Sequence, residues 1–100
     1  MDIKRKEDTA VISPGTRIDI TNAGDLKNKL MELYVEGYKN IDVNFENVDG
    51  IDSSGLGKLL LFQKKLKERG GRLKVLNIEN ENVRNMFSLI HLDKVVEIED

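Results

Sequence analysis

Residues 41–57 read IDVNFENVDGIDSSGLG, and they decide the architecture of the chain. Ile41, Val43 and Phe45 alternate with Asp42, Asn44 and Glu46. That two-residue period belongs to a strand with one apolar face. A polar connection over residues 47–50 leads into Ile51-Asp52-Ser53-Ser54. A helix is then expected from about residue 55 to residue 69. Leu56, Leu59, Leu60 and Leu66 recur along one stripe of it, with Gln63 the one polar position on that stripe. Gly70-Gly71 stops it. The Asp-Ser-Ser run therefore sits at a helix N-terminus, where side-chain oxygens can accept from the free backbone N–H groups of the first turn.

Working outward, residues 3–20 read as extended structure. Ala10-Val11-Ile12 is a short apolar run, and Ser13-Pro14-Gly15 is a turn signal. Ile18 and Ile20 alternate with Arg17 and Asp19, as on a half-buried strand or its exit. Thr21 or Asn22 is placed to cap a helix carrying Ala23, Leu26, Leu30, Leu33 and Tyr34 on one stripe. Gly37 closes that helix. Downstream, residues 72–78 read as a strand and residues 79–90 as a helix with Val83, Met86, Phe87 and Ile90 on one face. Val95, Val96 and Ile98 supply a last short strand. Met31 and Leu61 fall off the stripes of their helices. Strands followed by alternating helix and strand imply an α/β fold: a central mixed, largely parallel β-sheet with helices packed on it. One hundred residues suffice for a single core, so residues 1–100 are expected to be one domain.

Composition removes several classes of function. Sixteen Lys and Arg face 18 Asp and Glu, for a net charge of −2. Both signs are interleaved, which leaves no electrostatic footprint for nucleic acid or an anionic membrane. Cysteine is absent, which excludes disulfides and thiolate chemistry. No segment approaches a membrane span, and no apolar run follows the basic residues near Met1. These features lead to the expectation of a cytoplasmic protein. Neither a metal nor another cofactor is expected, since no paired His or His/carboxylate spacing occurs.

The chemistry is concentrated in Asp52-Ser53-Ser54-Gly55-Leu56-Gly57. Glycines are poor helix formers, so two in one first turn call for close approach of another backbone or a partner. A phosphate on Ser53 would lie near the positive end of the helix dipole, where it is favoured by about 0.3–1 kcal/mol. The same group would add about −1.5 to −2 charges beside Asp52 and repel a partner docked over the turn. That describes a binding switch with little change in fold.

This stretch, with the Leu-rich helix and Gly70-Gly71, resembles the signature of the STAS domain family, and in particular the bacterial anti-sigma-factor antagonists. Gly15 followed by Ile18-Asp19 is similar to the family's Gly-x-hydrophobic-Asp element, lengthened by one residue. Val43-Asn44-Phe45 resembles the family's central strand, and Leu73-Lys74-Val75-Leu76-Asn77 and Val83-Arg84-Asn85-Met86-Phe87 resemble the segments after it. The resemblance implies a non-enzymatic regulator with no catalytic residue. It implies Ser53 as the phosphate acceptor for a serine-kinase anti-sigma factor that uses ATP, reset by a serine phosphatase. It also implies a partner-binding surface of Asp19, Ile20, Thr21, Asn22, Asp52, Ser53, Ser54, Gly55, Leu56 and Gly57. The alternative it leaves is a STAS module that senses a nucleotide or other small ligand, or acts as a scaffold. His91-Leu92 stands where family members often carry Gly-Leu, and His takes the left-handed conformation less readily.

Other readings lose on spacing. A phosphate-binding loop needs Gly, four residues, then Gly-Lys-Ser/Thr, but Asp52 holds the first Gly position and Leu59 follows Gly57-Lys58. A dinucleotide fingerprint lacks its third Gly, at Leu60. A receiver domain needs an acidic pair at the end of its first strand, which is missing. A hydrolase built on Ser53 and His91 requires a mutual geometry that spacing does not supply.

Overall fold

Ala10, Ile12, Ile41, Val43, Leu73 and Val75 take alternate positions on three neighbouring strands, and all six side chains are fully buried. That period of two puts one face of the sheet into the core. The computed structural model describes residues 1–99; Asp100, the last residue of the expected domain, lies outside the described residues. The chain runs β1 (Asp2–Arg5), β2 (Thr9–Ser13), β3 (Arg17–Ile18), α1 (Ala23–Glu36), β4 (Asn40–Asn44), β5 (Gly50–Ile51), α2 (Ser53–Glu68), β6 (Arg72–Leu76), α3 (Glu81–Leu89) and β7 (Glu97–Glu99). Five strands form a sheet in the order β1-β2-β4-β6-β7. The β1–β2 pair is antiparallel and the other pairs are parallel, which is the mixed, largely parallel α/β sheet expected. The remaining strands, β3 and β5, form a separate two-stranded parallel ladder.

Helices cover one face only. Leu26, Leu30 and Leu33 of α1 and Leu59, Phe62 and Leu66 of α2 are fully buried against the sheet's apolar side. The two helices also meet each other. Tyr34 and Phe62 contact edge to face at 6.4 Å, and the Arg69 guanidinium lies 3.4 Å above the Tyr34 ring. Phe87 of α3 packs against Phe45 at 5.6 Å. The opposite face of the sheet carries charge. Arg72 pairs with Asp42 and Glu97, and Lys74 pairs with Glu97 and Glu99. Opposite charges on adjacent strands let a mostly parallel sheet leave one face in water.

Residues 3–20 are not one extended run. They fold back at residues 6–9, where the Lys6 N–H donates to the Thr9 carbonyl, and form the β1–β2 hairpin before β3. Helix α2 begins at Ser53, two residues earlier than expected, because the Asp52 carboxylate satisfies its first free N–H groups. Its buried stripe is Gly55, Leu59, Phe62 and Leu66. Leu60 lies a further 100° round the helix and is partly exposed, so Phe62 takes the core position assigned to it. Gln63 has a structural use: its Oε1 accepts from the Leu73 N–H at 2.8 Å. Strand β6 stops at Leu76, since Asn77 takes positive φ. Helix α3 ends at Leu89 with Ile90 partly exposed as its C-cap. A short 3-10 turn, Leu92–Lys94, then delays the last strand, leaving Val95 exposed and Val96 buried. His91 adopts the left-handed conformation, φ 53°, that glycine supplies at a helix end. Met31 packs against the core from its margin.

Gly71 sets how closely the connection between α2 and β6 passes the backbone just before β4. A Cβ there would sit 1.8 Å from the Lys39 carbonyl oxygen, so backbone would have to move to admit any side chain. Gly71→Ala is expected to destabilise the fold by about 1–3 kcal/mol, read as a lower urea midpoint at constant m.

Candidate functional site

The site starts from a backbone pairing. In the β3–β5 ladder Arg17 lies opposite Gly50 and Ile18 opposite Ile51. The ladder continues past both ends: the Asp49 N–H donates to the Thr16 carbonyl at 2.8 Å and the Asp52 N–H to the Ile18 carbonyl at 3.0 Å. The loop after β3 and the loop before α2 therefore leave side by side. Asp52 joins them. Its Oδ1 accepts from the Ser54 and Gly55 N–H groups at 2.9 and 3.1 Å, which caps α2. Its Oδ2 accepts from the Ile20 N–H at 3.0 Å. One carboxylate thus holds three backbone N–H groups from two segments.

The loop after β3 is tied internally. The Asp19 N–H donates to Asn22 Oδ1 at 2.8 Å, and Asn22 Nδ2 donates to the Arg17 carbonyl at 2.6 Å. Asp19 Oδ1 accepts from the Thr21 N–H at 3.0 Å and from the Thr21 hydroxyl, while Arg17 pairs with its Oδ2 at 3.2 Å. Thr21's hydroxyl and N–H, aided by Arg17, hold the Asp19 carboxyl below its ordinary value. A carboxylate lowered in the fold adds stability above its unfolded pKa, about 4, and loses it as pH falls through the lowered value. Asn22 stands at the N-cap position of α1 but makes no side-chain cap bond; it staples the loop to β3 instead.

Ser53 is the first helical residue, exposed, and among the described residues its hydroxyl has no hydrogen-bond partner. Ile20, tethered to Asp52 beside it, is 78% exposed. The two glycines differ in kind. A Cβ on Gly55 would fall 2.3 Å from Ile18 Cγ2, so Gly55 lets the helix start press against β3. A Cβ on Gly57 would meet nothing within 4 Å, and its φ is not positive. Nothing inside the fold explains Gly57, whose presence in a helix costs about 1 kcal/mol relative to Ala.

The structure thus brings residues 19–22 and 52–57 together, with Leu56 half-buried and Ser54 part-buried at the edge of the surface; Gly55, expected to contact a partner, is buried against Ile18 and supports that surface from beneath. Arg17 joins them through Asp19; only its place two residues before Asp19 pointed to it. His91 is elsewhere. It lines a cavity of about 470 Å³ with Arg84, Ser88 and Asp93, and Ser53 is not among that cavity's walls. No helix among the described residues is long and apolar enough to cross a membrane.

The chain belongs to the STAS domain family, which it matches over residues 1–100. Among its relatives is the anti-sigma-B factor antagonist of Bacillus subtilis, 29% identical over 98 residues, covering 98% of this chain and 88% of the relative. A crystal structure from Thermotoga maritima, provisionally named an anti-sigma factor antagonist, superposes with a TM-score of 0.91 at 29% identity, over 99% of this chain and 85% of that one. The anti-sigma factor antagonist SpoIIAA in its unphosphorylated form gives a TM-score of 0.72 at 26% identity, over 88% of this chain and 81% of the other.

Asp52 is separable into its two jobs. Asp52→Ala removes the cap and the bridge to Ile20, and is expected to cost about 1–2 kcal/mol in denaturant unfolding. Asp52→Asn retains an acceptor for the cap but cannot also accept from Ile20 through its amide nitrogen. Its stability loss should be smaller, with faster hydrogen exchange at the Ile20 amide as its signature.

Proposed function

We propose that this chain, as a single STAS domain over residues 1–100, is a cytoplasmic, non-enzymatic anti-sigma-factor antagonist switched at Ser53. In its unmodified state the surface of Asp19, Ile20, Thr21, Asn22, Asp52, Ser53, Ser54, Leu56 and Gly57, with Gly55 buried beneath it, docks on a serine-kinase anti-sigma factor, which then releases its sigma factor. The kinase transfers the γ-phosphoryl group of ATP to Ser53 Oγ: the O–P bond forms, ADP leaves, and the hydroxyl proton passes to a base on the kinase. A serine phosphatase reverses this by hydrolysis. The observation that carries the reading is the pairing of an exposed, unpartnered Ser53 hydroxyl with the exposed Ile20 on one tethered surface. The antagonist names of the relatives support it, as does SpoIIAA having been solved in unphosphorylated form.

The mechanism follows from where the charge lands. Phosphate on Ser53 joins a helix N-terminus that tolerates it, so the fold persists. The phosphate adds its charge beside Asp52 and Asp19, and a docked partner meets that added negative charge and the cost of desolvating it. Gly57, four residues on from Ser53 and on the same face, leaves the helix surface flat for that partner.

Two measurements test this. Incubation with ATP and a serine-kinase anti-sigma factor from the same genome should place phosphate on Ser53, by mass spectrometry, and Ser53→Asp should weaken kinase binding about tenfold or more with an unchanged melting temperature. Phosphate found only at another residue refutes the assignment. Gly57→Ala should stabilise the free protein by about 0.5–1 kcal/mol while weakening kinase binding. An alanine that stabilised without any loss of binding would remove Gly57 from the docking surface.

A further inference from the structure

The face of α2 that begins at Ser53 does not end with the switch. Ser53, Gly57, Leu60, Lys64 and Lys67 follow one another at spacings of four, three, four and three, so they lie on one side of the helix. From Ser53 to Lys67 the stripe is about 21 Å long. Its far end opens into a groove of about 460 Å³ between α2 and the segment before β7, lined by Leu60, Gln63, Lys64, Lys67, Lys94 and Val95. Leu60 and Val95 are 36% and 56% exposed and form its apolar part. Three of the six lining residues are lysines and none is acidic, in a chain of net charge −2. Among the described residues no ion pair involves Lys64, Lys67 or Lys94. Unpaired lysines are common on this surface; what sets these three apart is that they converge on one groove with an apolar floor.

We infer that this groove is a second contact for the same anti-sigma partner, and that it takes an acidic segment of that protein carrying an apolar side chain between its carboxylates. The inference rests on the proposed docking at Ser53. Charge complementarity selects the occupant: three unpaired ammonium groups around two exposed aliphatic side chains fit Asp or Glu flanking a Leu- or Ile-sized anchor. Continuity selects the protein that supplies it, because a partner seated over Ser53 and Gly57 meets Leu60 and Lys64 on the next two turns. An interface of ordinary size covers about 800 Å² on each side, enough to span both. The groove would remain attractive when Ser53 is phosphorylated. It would therefore supply encounter rate and orientation, while Ser53 sets whether the complex persists.

The test is binding of the full chain to the serine-kinase anti-sigma factors of the same genome at low and high salt. The triple variant Lys64→Glu, Lys67→Glu, Lys94→Glu should bind about tenfold more weakly, the sum three exposed pairs supply, mostly through a slower association rate. Its dependence on salt should be shallower than that of the unaltered chain. The neutral triple Lys64→Gln, Lys67→Gln, Lys94→Gln should show an intermediate loss, and circular dichroism should find both folded. If the unaltered chain binds and Ser53→Asp weakens it while neither triple changes affinity, rate or salt dependence, the groove is overturned and the switch stands. If no kinase binds the unaltered chain, the antagonist reading falls and the groove's role falls with it.

Discussion

A single carboxylate, Asp52, organises the surface around Ser53. Its three acceptor bonds reach the first turn of α2 and the Ile20 N–H of the loop after β3. A charged acceptor at a helix N-terminus is among the stronger local ties, because the bonds are charge-assisted and the helix dipole adds to them. Everything nearby depends on it. It sets where α2 begins, which makes Ser53 the first helical residue. It also holds Ile20, an exposed apolar side chain, beside that serine. Gly55 permits the arrangement by letting the helix start lie against Ile18, where a methyl group would not fit.

Beneath that surface the fold is closely packed. The sheet buries one face under α1 and α2, and the helices are locked to each other by Tyr34, Phe62 and Arg69. Arg69 also donates to the Tyr34 carbonyl at 2.7 Å. The open face of the sheet is occupied by the Asp42, Arg72, Lys74, Glu97 and Glu99 charges. With one side of the sheet paired in water and the other filled by helices, α2 has a free outer face along its whole length. That face carries the serine, the open glycine and the lysine groove.

A surface of this kind suits regulation by charge. A ligand or modification shifts an equilibrium only by its differential interaction with the two states. In the proposed switch the two states are bound and free, not two folds. The platform need not move, because an exposed hydroxyl at a helix start can accept a phosphoryl group without disturbing the core.

The amino-acid sequence by itself determined the alternation of helix and strand from α1 onward, the apolar faces of the central strands and the place of Asp52 and Ser53 at a helix start. Periods of 2 and 3.6 and the chemistry of capping are local properties, written in neighbouring residues. It missed the β1–β2 hairpin, put Leu60 where Phe62 is buried, and gave Asn22 a cap it does not make, because each outcome turns on which distant segment arrives. Residues 19–22 were expected beside Ser53 only through a family resemblance. The physical cause, Ile18 pairing with Ile51 and Asp52 reaching Ile20, joins positions about thirty apart in the chain, and spacing alone carries no record of it. The difference between Gly55, forced by Ile18, and Gly57, which nothing inside the molecule requires, was likewise decided only by tertiary structure. Two identical residues in one turn are distinguished by what packs against them.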